Sequence, residues 1–273
     1  MGKAKLQMKT FTGEFNKIKA LIESGEPFAF ARFSDGEVTM LQNNVVVLAE
    51  DHFIQGDLHG DDVKHNGSYL PEEQKDFRPD RDVFFQKKLV EAFKHRQPNY
   101  FKGIPPSNAP YGNVSWKFCT ELYGEGDDEH LSFSNVMINA NYGRFVEEII
   151  PLFAKRKTVL LANENADLSD LPFKVEKSFT CGPNCMINDY HKIEEMKHWI
   201  EENNIKDHTF LFAASTLSNY AIHELYKDYP QNQYVDVGSS LGYHFKLKGC
   251  YYRHYLKMYW HHGVVINEVD QWN

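Results

Sequence analysis

Five short runs are apolar or small at most positions: 28–33, 100–104, 158–162, 209–213 and 234–237. A run of that length without polar alternation reads as a strand buried on both faces. Between the runs lie stretches with apolar residues at helical spacing, such as Phe11, Phe15, Ile18, Leu21 and Ile22. Strands that alternate with helices leave few arrangements open. They predict an α/β fold with a mostly parallel sheet flanked by helices.

The chain has 273 residues, within range for one α/β domain. We expect a single domain over 1–273, with its core at about 10–245 and an aromatic tail at 246–273. The apolar share of 42% and charged share of 25% are ordinary for a globular protein. A formal net charge of −8 argues against a general nucleic-acid binder, which needs a basic face. No apolar run approaches a membrane span. Met1–Thr10 has lysines but no apolar stretch after them, unlike a signal peptide. Cys119, Cys181, Cys185 and Cys250 form no disulfide-rich spacing, so a reducing, cytoplasmic setting is expected.

The local pattern predicts a helix at 11–24, with Thr12 as its N-cap and Gly25 with Pro27 ending it. It predicts a short strand at 45–48 and a polar loop at 50–80 crowded with Asp51, His52, Asp57, His59, Asp61, Asp62 and His65. A helix at 82–95 is expected to bury Val83, Phe84, Leu89, Val90 and Phe93. Pro105–Pro110 reads as a rigid loop, and Trp116, Phe118 and Leu122 as one side of a helix. A strand at 131–138, a helix at 142–153, a strand at 173–179 and a long helix at 187–203 follow. Cys181-Gly182-Pro183-Asn184-Cys185 is one residue longer than a Cys-x-x-Cys pair and is read as a tight loop with two free thiols.

The chemistry is expected where the first run breaks into Arg32-Phe33-Ser34-Asp35-Gly36-Glu37. In open α/β sheets, ligands bind in the crevice outside the carboxyl ends of the strands. Gly36 permits a tight turn there. Asp35 and Glu37 are hard oxygen ligands of the kind that hold Mg²⁺ or Mn²⁺ and, through the ion, a diphosphate. The Arg32 fork suits phosphate. The same residues also suit a plain strand-to-helix turn, with Glu37 in the first turn of a helix. Asn163-Glu164-Asn165 ends a second strand and is placed for a nucleobase or ribose. Ala214-Ser215-Thr216 lets backbone N–H groups approach an anion at a helix N-terminus. Asp236-Val237-Gly238 ends the last strand.

Arg32-Phe33-Ser34-Asp35-Gly36-Glu37 after an apolar strand resembles the N-terminal signature of the GT-D glycosyltransferases, an Arg-aromatic-Gly-Asp-Gly-Glu run with an Asp-x-Glu motif. Ser34 stands where that run often has Gly. The block 210–219 with Tyr234–Ser239 resembles the family's C-terminal half, Ser215 and Thr216 replacing an expected Gly. The resemblance spans about 25–245. It implies a single Rossmann-like domain that moves a sugar from a nucleotide diphosphate donor, usually a UDP-sugar, to a hydroxyl of a glycan or glycoprotein acceptor, with inversion. It places Arg32, Asp35 and Glu37 in catalysis, with Mn²⁺ or Mg²⁺ on Asp35 and Glu37. Nucleotide contacts fall to Arg32, Ser34, Asp35, Gly36, Asn163, Glu164, Ser215, Thr216 and Asp236. Asp61, His65 and His244 are candidates for the base that deprotonates the acceptor.

Two other classes compete. Val235–Gly242 superficially resembles a methyltransferase cofactor loop, but only about thirty residues follow it, too few for the sheet such a loop needs. The other is a non-catalytic nucleotide-sugar or glycan binder on the same fold.

Overall fold

A computed structural model describes residues 9–49, 53–56, 74–106, 112–124, 129–247 and 253–263. The first strand, β1 (Phe28–Arg32), shows why its sequence lacks alternation: all five residues are buried. Ala29, Ala31 and Phe33 enter the core on one side of the sheet, and Phe28 and Phe30 enter the core on the other. Successive side chains of a strand point to opposite faces, so a strand with helices on both sides must be apolar throughout.

The remaining strands are β2 (Val45–Leu48), β3 (Phe53–Gly56), β4 (Lys75–Phe77), β5 (Tyr100–Ile104), β6 (Leu131–Phe133), β7 (Thr158–Asn163), β8 (Val175–Cys181), β9 (Thr209–Ala213) and β10 (Gln233–Asp236). Seven of them form one sheet in the order β6-β5-β1-β10-β9-β7-β8. Every neighbouring pair is parallel. The expected mostly parallel α/β sandwich is what forms. The chain leaves β1 towards β5 and returns from the far half of the sheet through β9 to β10, which lies against β1. The carboxyl ends of β1 and β10 therefore sit where the strand order reverses, the place where such sheets open a crevice.

The helix α1 (Phe11–Ser24) is capped by Thr10, whose Oγ1 accepts the Gly13 N–H at 3.0 Å, so the cap is Thr10 rather than Thr12. Gly25 ends it at φ 75°. α2 (Asp35–Leu41), α3 (Val83–Lys94) and α4 (Gly112–Tyr123) cover one side of the sheet together with helices Lys192–Glu202 and Ser215–Asp228. In α3, Leu89, Ala92 and Phe93 are buried, but Val83 and Phe84 are exposed. Phe84 instead stands edge-on to Phe85 and Tyr190. Helical spacing placed those two on the apolar stripe, but the buried part of that stripe lies in the later turns, at Leu89, Ala92 and Phe93.

Three other elements differ from the sequence reading. The strand expected at 131–138 stops at Phe133 and turns, because Ile104 O takes the Ser134 N–H as its last ladder bond. The helix expected at 187–203 splits into Cys185–Asn188 and Lys192–Glu202. Within 50–80 the described residues include the strands β3 and β4, which pair antiparallel with β2 in a separate three-stranded sheet, while Asp51, His52, Asp57, His59 and Asp62 of the expected polar loop lie outside the described residues. The helical stretch at 142–153 exists, with a π turn at Phe145–Ile149 ahead of Pro151, which has no N–H to give. Asp61, His65 and Ser107–Pro110 lie outside the described residues. Among those described, no helix is long and apolar enough to cross a membrane. Part of the aromatic tail packs as helix His254–His262, burying Tyr255 and Leu256, and Trp260 Nε1 donates to Tyr142 Oη at 2.9 Å.

Candidate active site

A cleft of about 480 Å³ opens at the carboxyl ends of β1, β7, β8, β9 and β10. Its wall on one side is the small sheet, which contributes Val46, Leu48 and Lys75. Of the residues singled out from sequence, Arg32, Ser34, Gly36, Glu37, Asn163, Ser215 and Asp236 line it. Asp35 and Glu164 are exposed and outside that lining, and Thr216 lies buried behind it. His244, half-buried beside Tyr243 and Trp260, is also outside it.

Arg32 is fixed in several ways at the end of β1. Its backbone N–H donates to Asp236 Oδ2 at 3.2 Å and its carbonyl accepts from Asn219 Nδ2 at 2.8 Å. Its Nε donates to the Ser134 carbonyl. The guanidinium passes over Gly238, which sits at φ 49°. A Cβ built there would stand 1.7 Å from Arg32 Nη1. Gly238 therefore serves two needs at once, a left-handed backbone and room for the arginine.

Glu37 is the third residue of α2 and 6% exposed. Its Oε2 accepts the Ser34 N–H at 3.1 Å, closing the strand-to-helix turn as a capping box does. Its Oε1 accepts the Thr216 hydroxyl at 2.6 Å and faces Lys75 Nζ at 3.6 Å. Burial alone would raise its pKa. Lys75, the Thr216 hydroxyl and the local N–H groups outweigh burial and hold the carboxylate below its ordinary range. Gly36, placed in a turn by the sequence reading, lies inside α2. Its missing side chain faces Lys75, whose Nζ would be 3.4 Å from a Cβ there.

Whether these residues suit a divalent ion can be judged from the donors. Mg²⁺ and Mn²⁺ sites on a nucleotide use one or two open carboxylates and the phosphates. Both oxygens of Glu37 already accept from the protein; the Asp35 carboxyl, outside the cleft lining, is pushed up by desolvation and by the nearby charge of Glu37. Among the described residues, no group of three or more His, Cys, Asp or Glu could share an ion. Glu37 therefore offers an ion no oxygen that is not already accepting from Ser34, Thr216 or facing Lys75.

Asp236 is buried at the cleft floor. Its Oδ1 accepts the Gly238 N–H at 2.9 Å. Burial pushes its carboxyl up to about 7; Arg32 and the two N–H groups oppose this, while Glu37 adds to it. An ordinary unfolded Asp titrates near ~4. The folded state thus holds the proton over a window in which the unfolded chain has lost it. The stabilisation from that proton is complete below about pH 4 and is lost as pH rises through about 7. Asp236→Asn removes this titration. Wild type is expected to lose stability relative to the variant between pH 4.5 and 7.5, by roughly 2–4 kcal/mol. Urea unfolding of both proteins across that range tests it; a constant gap would refute a buried, protonated Asp236.

Ser215 opens the helix Ser215–Asp228 at φ 49°, the left-handed region that Gly favours. The resemblance expected Gly here, and the backbone keeps the glycine conformation although the residue does not. Cys181 and Cys185 are free, buried and line the cleft, as expected of the loop they bound. Cys185 Sγ donates to Ala214 O at 3.2 Å.

Sequence reasoning missed Lys75, Gln74, Asn184 and Arg253, all of which line the cleft. Lys75 sits at the edge of a polar stretch with no local signal. Arg253 follows two tyrosines in the aromatic tail, where nothing in the local pattern sets it apart.

No family model matches the sequence, and no curated protein matches it. Solved structures share the fold. One, described as the highly conserved domain of unknown function 1792 with a distinct glycosyltransferase fold, aligns over 94% of this chain and 82% of its own with a TM-score of 0.55 and 10% identity. Another, described as a new glycosyltransferase (DUF1792) from Streptococcus sanguinis, aligns over 85% of this chain and 81% of its own, with a TM-score of 0.53 and 12% identity. The chain thus has the α/β fold of these glycosyltransferase-fold structures.

Proposed function

We propose that the cleft binds a nucleoside diphosphate sugar and transfers the sugar to an acceptor hydroxyl. The observation that supports this most is the concentration of Arg32, Lys75 and Arg253 with the start of the helix Ser215–Asp228 in one cleft at the strand-order reversal. Departure of a nucleoside diphosphate builds negative charge on the leaving phosphate. Preorganised donors aimed at that charge lower the barrier. Arg32 is such a donor, since three hydrogen bonds and Gly238 hold it in place. The glycosyltransferase-fold likeness and the Arg32–Glu37 signature favour a UDP-sugar donor, a glycan acceptor and inversion, in a cytoplasmic enzyme.

The competing reading is a binder of the same ligand without transfer. Incubation with a panel of UDP-, GDP- and dTDP-sugars, reading released nucleoside diphosphate, separates the two. Slow hydrolysis of one donor, lost in Arg32→Ala, is expected. Tight donor binding with no release, alone or with glycan acceptors, would instead make the protein a binder.

A further inference from the structure

The cleft holds a cation at the place where the resemblance puts a metal ion. Lys75 Nζ is 3.6 Å from Glu37 Oε1. Its strand is held from both edges. β4 pairs with β2 along one side. On the other, the Gln74 carbonyl accepts the Asn184 N–H at 2.9 Å, and the Asp76 N–H donates to Asn184 Oδ1 at 3.1 Å. Asn184 makes this clasp from a left-handed backbone at φ 52°. The lysine is thus delivered to Glu37 by fixed backbone, not by a drifting surface side chain.

A divalent ion at Glu37 would have to displace this ammonium and take an oxygen from the Thr216 hydroxyl or the Ser34 N–H. The other cleft carboxylate, Asp236, accepts from the backbone of Arg32 and Gly238. Arg32, Lys75 and Arg253 bring three positive charges to the lining; set against the one ionised carboxylate of Glu37 they leave a net of two, the charge of the diphosphate in a nucleoside diphosphate sugar.

On the donor-site reading above, we propose that Lys75 takes the role of the divalent cation, so that the cleft binds a nucleoside diphosphate through lysine and arginine charge alone. Glu37 then acts as a positioning residue. It aims the ammonium at the phosphates and is itself held by Thr216 and Ser34.

The test is calorimetric titration of uridine, guanosine and thymidine diphosphate into the whole protein, in EDTA and again in Mn²⁺. One of the three is expected to bind in EDTA, with affinity changed less than about threefold by Mn²⁺. Lys75→Met is expected to weaken that binding by about tenfold or more, and Lys75→Arg to restore most of it. Binding that appears only with Mn²⁺ overturns the inference and leaves the donor site standing. This comparison uses wild type, so a misfolded variant cannot hide the answer. Wild-type affinity in a cooperatively folded Lys75→Met overturns the inference as well. Failure of all three nucleotides to bind, with and without Mn²⁺, overturns the donor-site reading itself and this inference with it.

Discussion

Gly238→Ala is expected to destabilise the protein by about 2–4 kcal/mol and to weaken nucleoside diphosphate binding at least about tenfold. Two separate costs arise at one atom. The backbone at Gly238 is left-handed, at φ 49°, which costs an L-residue about 1–2 kcal/mol. The added methyl would also stand 1.7 Å from Arg32 Nη1 and 3.0 Å from Cζ, so the guanidinium must leave its position. Arg32 is only 8% exposed, and its Nε would lose the Ser134 carbonyl. Leaving that carbonyl unpaired adds about 1 kcal/mol or more. Urea unfolding and calorimetry measure the two effects separately. Arg32→Ala supplies the control: it should match the binding loss without the backbone strain. An alanine variant with wild-type stability and binding would mean that Arg32 does not lie over Gly238.

Glu37→Ala is expected to cost about 3–5 kcal/mol, because it removes one acceptor from three groups at once. The Thr216 hydroxyl loses its 2.6 Å partner, the Ser34 N–H loses its 3.1 Å partner, and Lys75 keeps its charge without a counterion. Thr216 is fully buried, so its hydroxyl has no water to turn to. Glu37→Gln keeps the shape and one carbonyl oxygen but loses the charge and turns an amide towards one of the donors. Its cost should fall between wild type and alanine. The difference has a pH signature. The Glu37 carboxylate is held below its ordinary pKa, so its stabilisation is present above the unfolded value, near ~4, and is lost as pH falls through the folded one. The stability gap between wild type and Glu37→Gln should therefore narrow below about pH 4. Thermal or urea unfolding at pH 3.5 and 7 reads it. An equal gap at both would mean that hydrogen-bond geometry, not charge, holds this turn.

Much of the fold was written in local pattern. The runs at 28–33, 158–162 and 209–213 are strands because they must be apolar on both faces, and nothing but a covered parallel sheet asks for that. Arg32, Ser34 and Glu37 could be placed at the cleft from their position after such a run, because the carboxyl end of a buried strand is where these sheets open. Ser215 and Asp236 followed from the same rule at β9 and β10.

What no local pattern held is the partner of each of those groups. Glu37 and Thr216 are 179 residues apart, and Arg32 and Asp236 are 204 apart. Only the pairing of β1 with β10, and of β10 with β9, brings them within a hydrogen bond. Lys75 is the clearest case: its neighbours in sequence are polar, and its position is set by β2 and by Asn184, 109 residues on from it. A sequence fixes the spacing of side chains along one element, since that depends on backbone period alone. It does not fix which element lies beside which, since that depends on burying all of the faces together. Hence the position of Glu37 at the cleft was legible, while its engagement by Thr216, Ser34 and a lysine was decided only by the folded chain.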